Sequence, residues 1–241
     1  MKALVTGASR GIGLAICEEL ASQGISVLGV SRNVDETTKQ RFINKAGAAS
    51  ELIALDITNS KAVDNFFNEN FIDKEMPSIL VNNAGVAVDV MFHKMTLEQW
   101  KIVIDTNLSS YFSITQPIYK AMMKAGYGRI VNISSINGQK GQLGQTNYSA
   151  SKAGVHGFTM ALAREGAKHN ITVNTISPGY TATEMVAAIP QDIQNVISNE
   201  IPMKRFAEVE EIARCVTYLI GDGGNYITGE NISINGGLLI K

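Results

Sequence analysis

Ala3-Leu4-Val5-Thr6-Gly7-Ala8-Ser9-Arg10-Gly11-Ile12-Gly13 is the stretch that decides the fold. A short apolar run reaches a threonine, three glycines follow within seven residues, and Ile12, Ile16 and Leu20 then recur every four residues with Ala15 beside them. That order reads as strand, tight turn and core-facing helix. Glycines at 7, 11 and 13 allow the turn and let backbone N–H groups approach a pyrophosphate at the positive end of the helix dipole. The spacing is Gly-x-x-x-Gly-x-Gly rather than Gly-x-Gly-x-x-Gly, and a bare glycine-rich turn is the alternative reading.

Outward from this unit the chain alternates short apolar runs with longer helical patterns. The predicted strands are Ala3–Val5, Ser26–Val30, Glu51–Leu55, Ile79–Val81, Ile130–Ile133, Thr172–Ile176 and Ile232–Ile234. Val155, Phe158 and Leu162 give a later helix its apolar stripe. Alternation of this kind implies βαβ units and a parallel sheet covered on both faces, a single doubly wound α/β domain over residues 1–241. Ligands in such sheets bind beyond the carboxyl ends of the strands. Those ends read Thr6-Gly7, Ser31-Arg32, Asp56, Asn82-Asn83-Ala84-Gly85, Ser134-Ser135 and Ser177-Pro178-Gly179, so one edge of the sheet is a polar, close-approach cleft.

Just after Ser135 comes Thr146-Asn147-Tyr148-Ser149-Ala150-Ser151-Lys152. Tyr148 and Lys152 are four residues apart, which on a helix puts them on one face with Cβ atoms about 5–6 Å apart. A cation beside a phenol favours the phenolate and lowers its pKa toward the working range of an acid catalyst.

Composition narrows the function classes. Across 241 residues, 21 Lys and Arg face 22 Asp and Glu, which leaves no electrostatic footprint for nucleic acid or an anionic membrane. No apolar stretch reaches the ~18 residues of a membrane span, and the run after Lys2 is too short for a signal-peptide core. Cys17 and Cys215 lack metal or redox spacing, and His93, His156 and His169 lack metal-ligand spacing, so a metal-free cytoplasmic protein is expected.

Taken together, the residues resemble the short-chain dehydrogenase/reductase family over essentially the whole chain. Thr6 to Gly13 is similar to its cofactor loop, Asn82-Asn83-Ala84-Gly85 to its fourth-strand signature, and Asn107, Ser135, Tyr148 and Lys152 to its catalytic tetrad. The resemblance implies a Rossmann domain with seven strands in the order 3-2-1-4-5-6-7. It also implies cofactor contacts from Gly7, Ser9, Arg10, Gly11, Ile12, Gly13, Ser31, Arg32, Asp56, Ile57, Asn83, Ala84, Gly85, Tyr148 and Lys152. Pro178, Gly179, Thr181 and Thr183 would grip the nicotinamide end. Within the family, Arg129–Tyr148, His156–Ala163 and Thr172–Tyr180 are most similar to acetoacetyl-CoA reductases, with β-ketoacyl-carrier-protein reductases as the sister class.

Cofactor choice has a physical argument. An acidic residue at the end of the second strand would bind a ribose 2′-hydroxyl and repel a 2′-phosphate. Here that end reads Val30-Ser31-Arg32-Asn33, and Arg10 precedes Gly11, which points to NADPH. By resemblance, Tyr148 is the general acid, Ser135 supports the developing alkoxide, Lys152 holds the ribose hydroxyls and Asn107 seats a water. Gly141-Gln142-Leu143-Gly144-Gln145 lies between the catalytic serine and tyrosine and borders the reacting carbonyl. With Asp89, Ser135, Gly179 and Tyr180 it forms the expected site for a short β-ketoacyl thioester.

Carrier-protein reductases tend to place docking arginines near the ends of two elements that here read Gly126-Tyr127 and His169-Asn170, which favours a coenzyme A ester over a carrier protein. The stretch from Met185 to Ile201, punctuated by Pro190 and Pro202, is expected to be a mobile lid. A homotetramer is implied by the resemblance, through the helices that include Asn107 and Tyr148–Lys152. A non-catalytic dinucleotide sensor is the reading from another class; it would be marked by loss of a tetrad member.

Overall fold

The structure is a computed structural model that describes residues 1–71, 75–187 and 189–240, without the side chain of Met185. Its elements run β1 (Lys2–Thr6), α1 (Gly11–Ser22), β2 (Ser26–Ser31), α2 (Glu36–Ala46), β3 (Glu51–Ala54), α3 (Ser60–Phe71), β4 (Ile79–Asn82), α4 (Leu97–Ile104) and α5 (Ser110–Ala125). They continue as β5 (Gly128–Ile133), α6 (Asn137–Lys140), α7 (Thr146–Gly166), β6 (Ile171–Pro178), α8 (Glu184–Ala187), α9 (Gln191–Glu200), α10 (Val209–Ile220) and β7 (Asn231–Ile234). The seven strands form one parallel sheet in the order β3-β2-β1-β4-β5-β6-β7. All seven predicted strands are present, most of them extended by a residue or two; β3 stops one residue early, before Leu55.

Each strand is apolar on both sides because each side meets helices. Ala3, Val5, Val27, Ile79, Val81, Val131 and Ile133 join one core with Ile16 and Leu20 of α1 and Ile212 and Val216 of α10. The alternate residues Leu4, Leu28, Leu80 and Ile130 join a second core with Phe66 of α3 and Ile114, Ile118 and Met122 of α5. The two-residue side-chain period of a strand thus separates continuous apolar runs into two faces. The strand order reverses between β1 and β4, so the chain leaves the sheet there in opposite directions and opens a crevice at the carboxyl edge.

A buried polar ladder crosses the second core beneath that edge. Asn82, Asn132 and Thr175 sit side by side in register on β4, β5 and β6. Asn82 Nδ2 donates to Asn132 Oδ1 (2.9 Å) and to Thr115 Oγ1 of α5 (3.0 Å). Asn132 Nδ2 donates to Thr159 Oγ1 of α7 (2.9 Å), which is 2.7 Å from Thr175 Oγ1. The ladder locks α5 and α7 to the sheet at a fixed height. Between α4 and α5 the helix widens into a π turn over Asp105–Ser109 that carries Asn107; such turns recur at functional sites.

Candidate active site

The crevice is a cavity of about 940 Å³ over the carboxyl ends of the central strands. At its floor the phosphate loop is tied to the neighbouring strands. Gly7 N–H and Ala8 N–H both donate to Val30 O, at 2.8 and 3.2 Å, and Ser9 N–H donates to Ser31 Oγ (3.1 Å). Thr6 Oγ1 accepts from the N–H groups of Asn83 and Ala84, both at 3.0 Å. Asn83 Nδ2 in turn donates to Thr6 O (2.9 Å) and Gly7 O (3.2 Å), so this side chain shapes the loop.

Gly7 has φ +67°, and a Cβ there would lie 2.9 Å from Ala84 Cα; a Cβ on Gly13 would strike Gly7 O. The loop and the first turn of α1 are therefore pressed together with no room for side chains. Gly11, Ile12 and Gly13, whose N–H groups have no intrahelical acceptor, line the cavity, a fit for a diphosphate.

The opposite wall carries Ser135, Tyr148 and Lys152. Asn147 is buried and anchors the first turn of α7: its Nδ2 donates to Val88 O (3.1 Å) and Gln99 O (3.2 Å), and its Oδ1 accepts from Tyr148 N–H (2.7 Å). Lys152 is buried, and its Nζ donates to Ile133 O (2.8 Å) while lying 5.9 Å from the Tyr148 ring centroid. Ile133 O also accepts from the buried Tyr111 hydroxyl (3.1 Å), which donates to Asn82 O as well (3.0 Å). Ser134 Oγ donates to Lys152 O (2.8 Å), joining the end of β5 to α7. Ser135 Oγ accepts from Asn137 N–H (3.1 Å), which leaves its own proton for a partner in the cleft.

Burial lowers the Lys152 pKa to about 8. Burial also raises the Tyr148 phenol above its ordinary value; a hydrogen bond with Ser135 works against the rise and the Asp89 carboxylate adds to it. The expected lowering by Lys152 is not seen: desolvation of the phenolate dominates, and Ser135 supplies the opposing effect.

Every expected cofactor residue lines the cavity: Gly7, Ser9, Arg10, Gly11, Ile12, Gly13, Ser31, Arg32, Asp56, Ile57, Asn83, Ala84, Gly85, Tyr148, Lys152, Pro178, Gly179, Thr181 and Thr183. Asp56 Oδ1 accepts from Thr58 N–H (2.9 Å) and Thr58 Oγ1 (2.7 Å), and these bonds with the nearby Arg32 charge lower its pKa. Of the expected acyl-site residues, Asp89, Ser135, Gln142, Leu143, Gln145, Gly179 and Tyr180 line it, while Gly144 contributes its carbonyl to Val90 N–H (2.8 Å). Gln145 Nε2 donates to both Asp89 oxygens at 2.9 Å and its Oε1 accepts from Asn137 (2.9 Å), so its amide is already spoken for.

Asn107 stands apart: it is fully buried and does not line the cavity. Its Oδ1 accepts from Val86 N–H (2.8 Å), and its Nδ2 donates to Val86 O (2.9 Å) and Ser151 Oγ (3.2 Å). The side chain sets the segment after β4 against α7. Sequence reasoning missed Tyr111 and two wall residues, Arg41 of α2 and Glu184 of α8, and it placed Thr6 in the loop without its bonds to Asn83 and Ala84. The lid segment forms α8 and α9, with Val186, Ile189, Ile193 and Ile197 along the cavity; Ala188, part of the expected lid, lies outside the described residues.

A parallel sheet with a reversed strand order, a glycine loop at its edge and a Ser–Tyr–Lys wall above it define a nucleotide-binding oxidoreductase. The family model described as enoyl-(acyl carrier protein) reductase matches residues 7–239. The chain belongs to the short-chain dehydrogenase/reductase family, whose reductases use nicotinamide cofactors. It is 50% identical over 236 residues to an acetoacetyl-CoA reductase of Rhizobium meliloti, covering 98% of this chain and 97% of that one. It is 46% identical over 239 residues to an acetoacetyl-CoA reductase of Acinetobacter sp., covering 98% and 96%. It is 40% identical over 237 residues to a 3-oxoacyl-(acyl-carrier-protein) reductase of Aquifex aeolicus, covering 98% and 96%. No helix among the described residues is long and apolar enough to cross a membrane, and no group of three or more His, Cys, Asp or Glu among them could hold a metal ion.

Proposed function

We propose that the chain, residues 1–241 acting as one catalytic domain, reduces a short-chain β-ketoacyl thioester with NADPH, and that acetoacetyl-CoA is its substrate. The observation that carries this reading is the convergence of Ser135, Tyr148 and Lys152 on one wall of a cavity whose other end is the glycine loop. Six curated relatives named acetoacetyl-CoA reductase, 44–50% identical across nearly the whole chain, support the substrate class.

NADPH, when bound, supplies the hydride that reduces the β-carbonyl carbon. Tyr148 gives its phenolic proton to the oxygen of that carbonyl as negative charge grows there. Ser135 donates a hydrogen bond to the same oxygen, placed where charge develops rather than where it already exists. Lys152, fixed by Ile133 O, holds a positive charge beside the phenol and stabilises the phenolate left behind. Asn107 keeps Val86 and α7 in place, so the proton donor and the end of β4 do not drift apart. Arg10 and Arg32 face the end of the cavity where the 2′-phosphate belongs. The loop 141–145, exposed over its first three residues, borders the acyl group with Asp89 and Tyr180.

The test is NADPH oxidation by the purified protein with acetoacetyl-CoA and, in parallel, acetoacetyl-carrier protein. A clearly higher kcat/KM for the coenzyme A ester is expected. A preference for the carrier protein would move the enzyme to fatty-acid synthesis. Turnover of neither, with NADPH still bound, would overturn the thioester assignment. Sizing of the purified protein checks the expected homotetramer, and fractionation of its host checks cytoplasmic localisation.

A further inference from the structure

Glu184 opens α8 and reaches back across the crevice to two arginines from separate elements. Its Oε2 is 3.2 Å from Arg10 Nη1 of the phosphate loop, and its Oε1 is 3.6 Å from Arg41 Nη1 of α2. Arg41 is itself fixed in place, since its Nη2 donates to Ser9 O (2.6 Å). All three side chains line the same cavity as Ser31 and Arg32 at the end of β2.

A carboxylate seated between two guanidinium groups marks a position where an anion is stable. It also uses up donors that a second anion in the same cavity would need. Arg32 makes no ion pair among the described residues, but Arg10 and Arg41 are both engaged by Glu184. Resting on the NADPH reading above, we infer that Glu184 is an internal competitor for the 2′-phosphate of the cofactor, and that Arg41 is a specificity-determining residue for that phosphate.

A phosphate dianion offers three acceptor oxygens against the two of a carboxylate, so it displaces Glu184 and recruits Arg41. A cofactor without the 2′-phosphate has nothing to exchange for this contact. Discrimination between the two cofactors then comes from four side chains rather than from Arg10 and Arg32 alone. The ion pairs are partly exposed, so the effect of the competitor is a modest one.

The test is calorimetric binding of 2′,5′-ADP and of 5′-ADP to the full chain and to two variants. Glu184→Gln keeps size and polarity; it is expected to tighten 2′,5′-ADP by about two- to fivefold and leave 5′-ADP unchanged. Arg41→Ala is expected to weaken 2′,5′-ADP by about tenfold, again without moving 5′-ADP. Equal tightening of both probes by Glu184→Gln, no change, or weakening would overturn the competitor role. An unchanged 2′,5′-ADP affinity in Arg41→Ala would overturn the role of Arg41. If the unsubstituted protein itself binds both probes equally, the NADPH reading has failed, and that result is distinct from a failure confined to the variants.

Discussion

Asn107 holds Val86 by both of its main-chain groups, accepting from the N–H at 2.8 Å and donating to the carbonyl at 2.9 Å. The pairing is that of two strands of a sheet, made by a side chain from inside a π turn. It explains why an amide stands at 107 and not a hydroxyl or an acid: only an amide offers a donor and an acceptor side by side. Asn107→Ala leaves the Val86 groups and Ser151 Oγ short of a partner and is expected to cost about 2–3 kcal/mol. Urea unfolding checks this, and kcat should fall with it because Tyr148 loses its register with β4.

On the proposed mechanism, Tyr148→Phe removes the proton donor and nothing else. Turnover should fall by about 10²–10⁴-fold while NADPH binding is kept. Fluorescence titration alongside the rate assay separates the two, and retained turnover would sink the acid role.

Lys152 ties stability to pH. Its pKa is about 8 in the folded protein against 10.5 when unfolded, so between these values the unfolded chain binds more protons. Stability therefore rises as pH climbs from about 8 to 10.5, and the contribution is lost again as pH falls through 8. The difference in unfolding free energy between the wild type and Lys152→Met should move by about 3 kcal/mol across that window. A flat difference would mean that the ammonium is better solvated than its burial implies. The reduction rate should decline above pH 8 as the charge beside Tyr148 disappears.

Gly13→Ala runs against helix propensity, which favours alanine by about 1 kcal/mol. The added methyl would nevertheless strike Gly7 O, so the loop must shift. Loss of stability together with at least about tenfold weaker cofactor binding is expected, read by thermal unfolding and titration. A stabilised variant with unchanged binding would show the loop to be pliable.

Asn132→Val breaks the polar ladder at its centre and strands one N–H of Asn82 in the core. A loss of about 1–3 kcal/mol is expected, with kcat per folded molecule kept, since no ladder atom reaches the cavity. Denaturant titration with an activity assay below the transition tests both halves.

The strands and the phosphate loop were legible because apolar runs with glycine or small polar residues at their ends have few other structural solutions. Spacing and resemblance put Ser135, Tyr148 and Lys152 together, and they do share one cavity wall, yet the contacts of Asn107 were not legible. Spacing places a residue on a face; it does not say that both ends of an amide will be consumed by Val86. The Tyr148 environment was misjudged for a related reason. The neighbour at four residues was visible, but the desolvation that sets the direction of the shift comes from the surrounding elements. Arg41 and Glu184 were hidden because neither belongs to a motif, and the chain separation between them is bridged only by folding.

The two halves of the site rest on different kinds of support. Lys152 is braced by a buried hydrogen bond to Ile133 O at the end of β5, an acceptor it shares with Tyr111, and Ser134 Oγ ties the same strand end to α7. The loop 141–145 is a surface appendage, with Leu143 80% exposed and Gly144 fastened to Val90 by a single backbone bond. Chemistry and taste are therefore separable inheritances in this molecule. On the proposed function, a different acyl group calls for rewriting a five-residue loop at the cavity rim, while the Ser–Tyr–Lys wall stays anchored in the sheet.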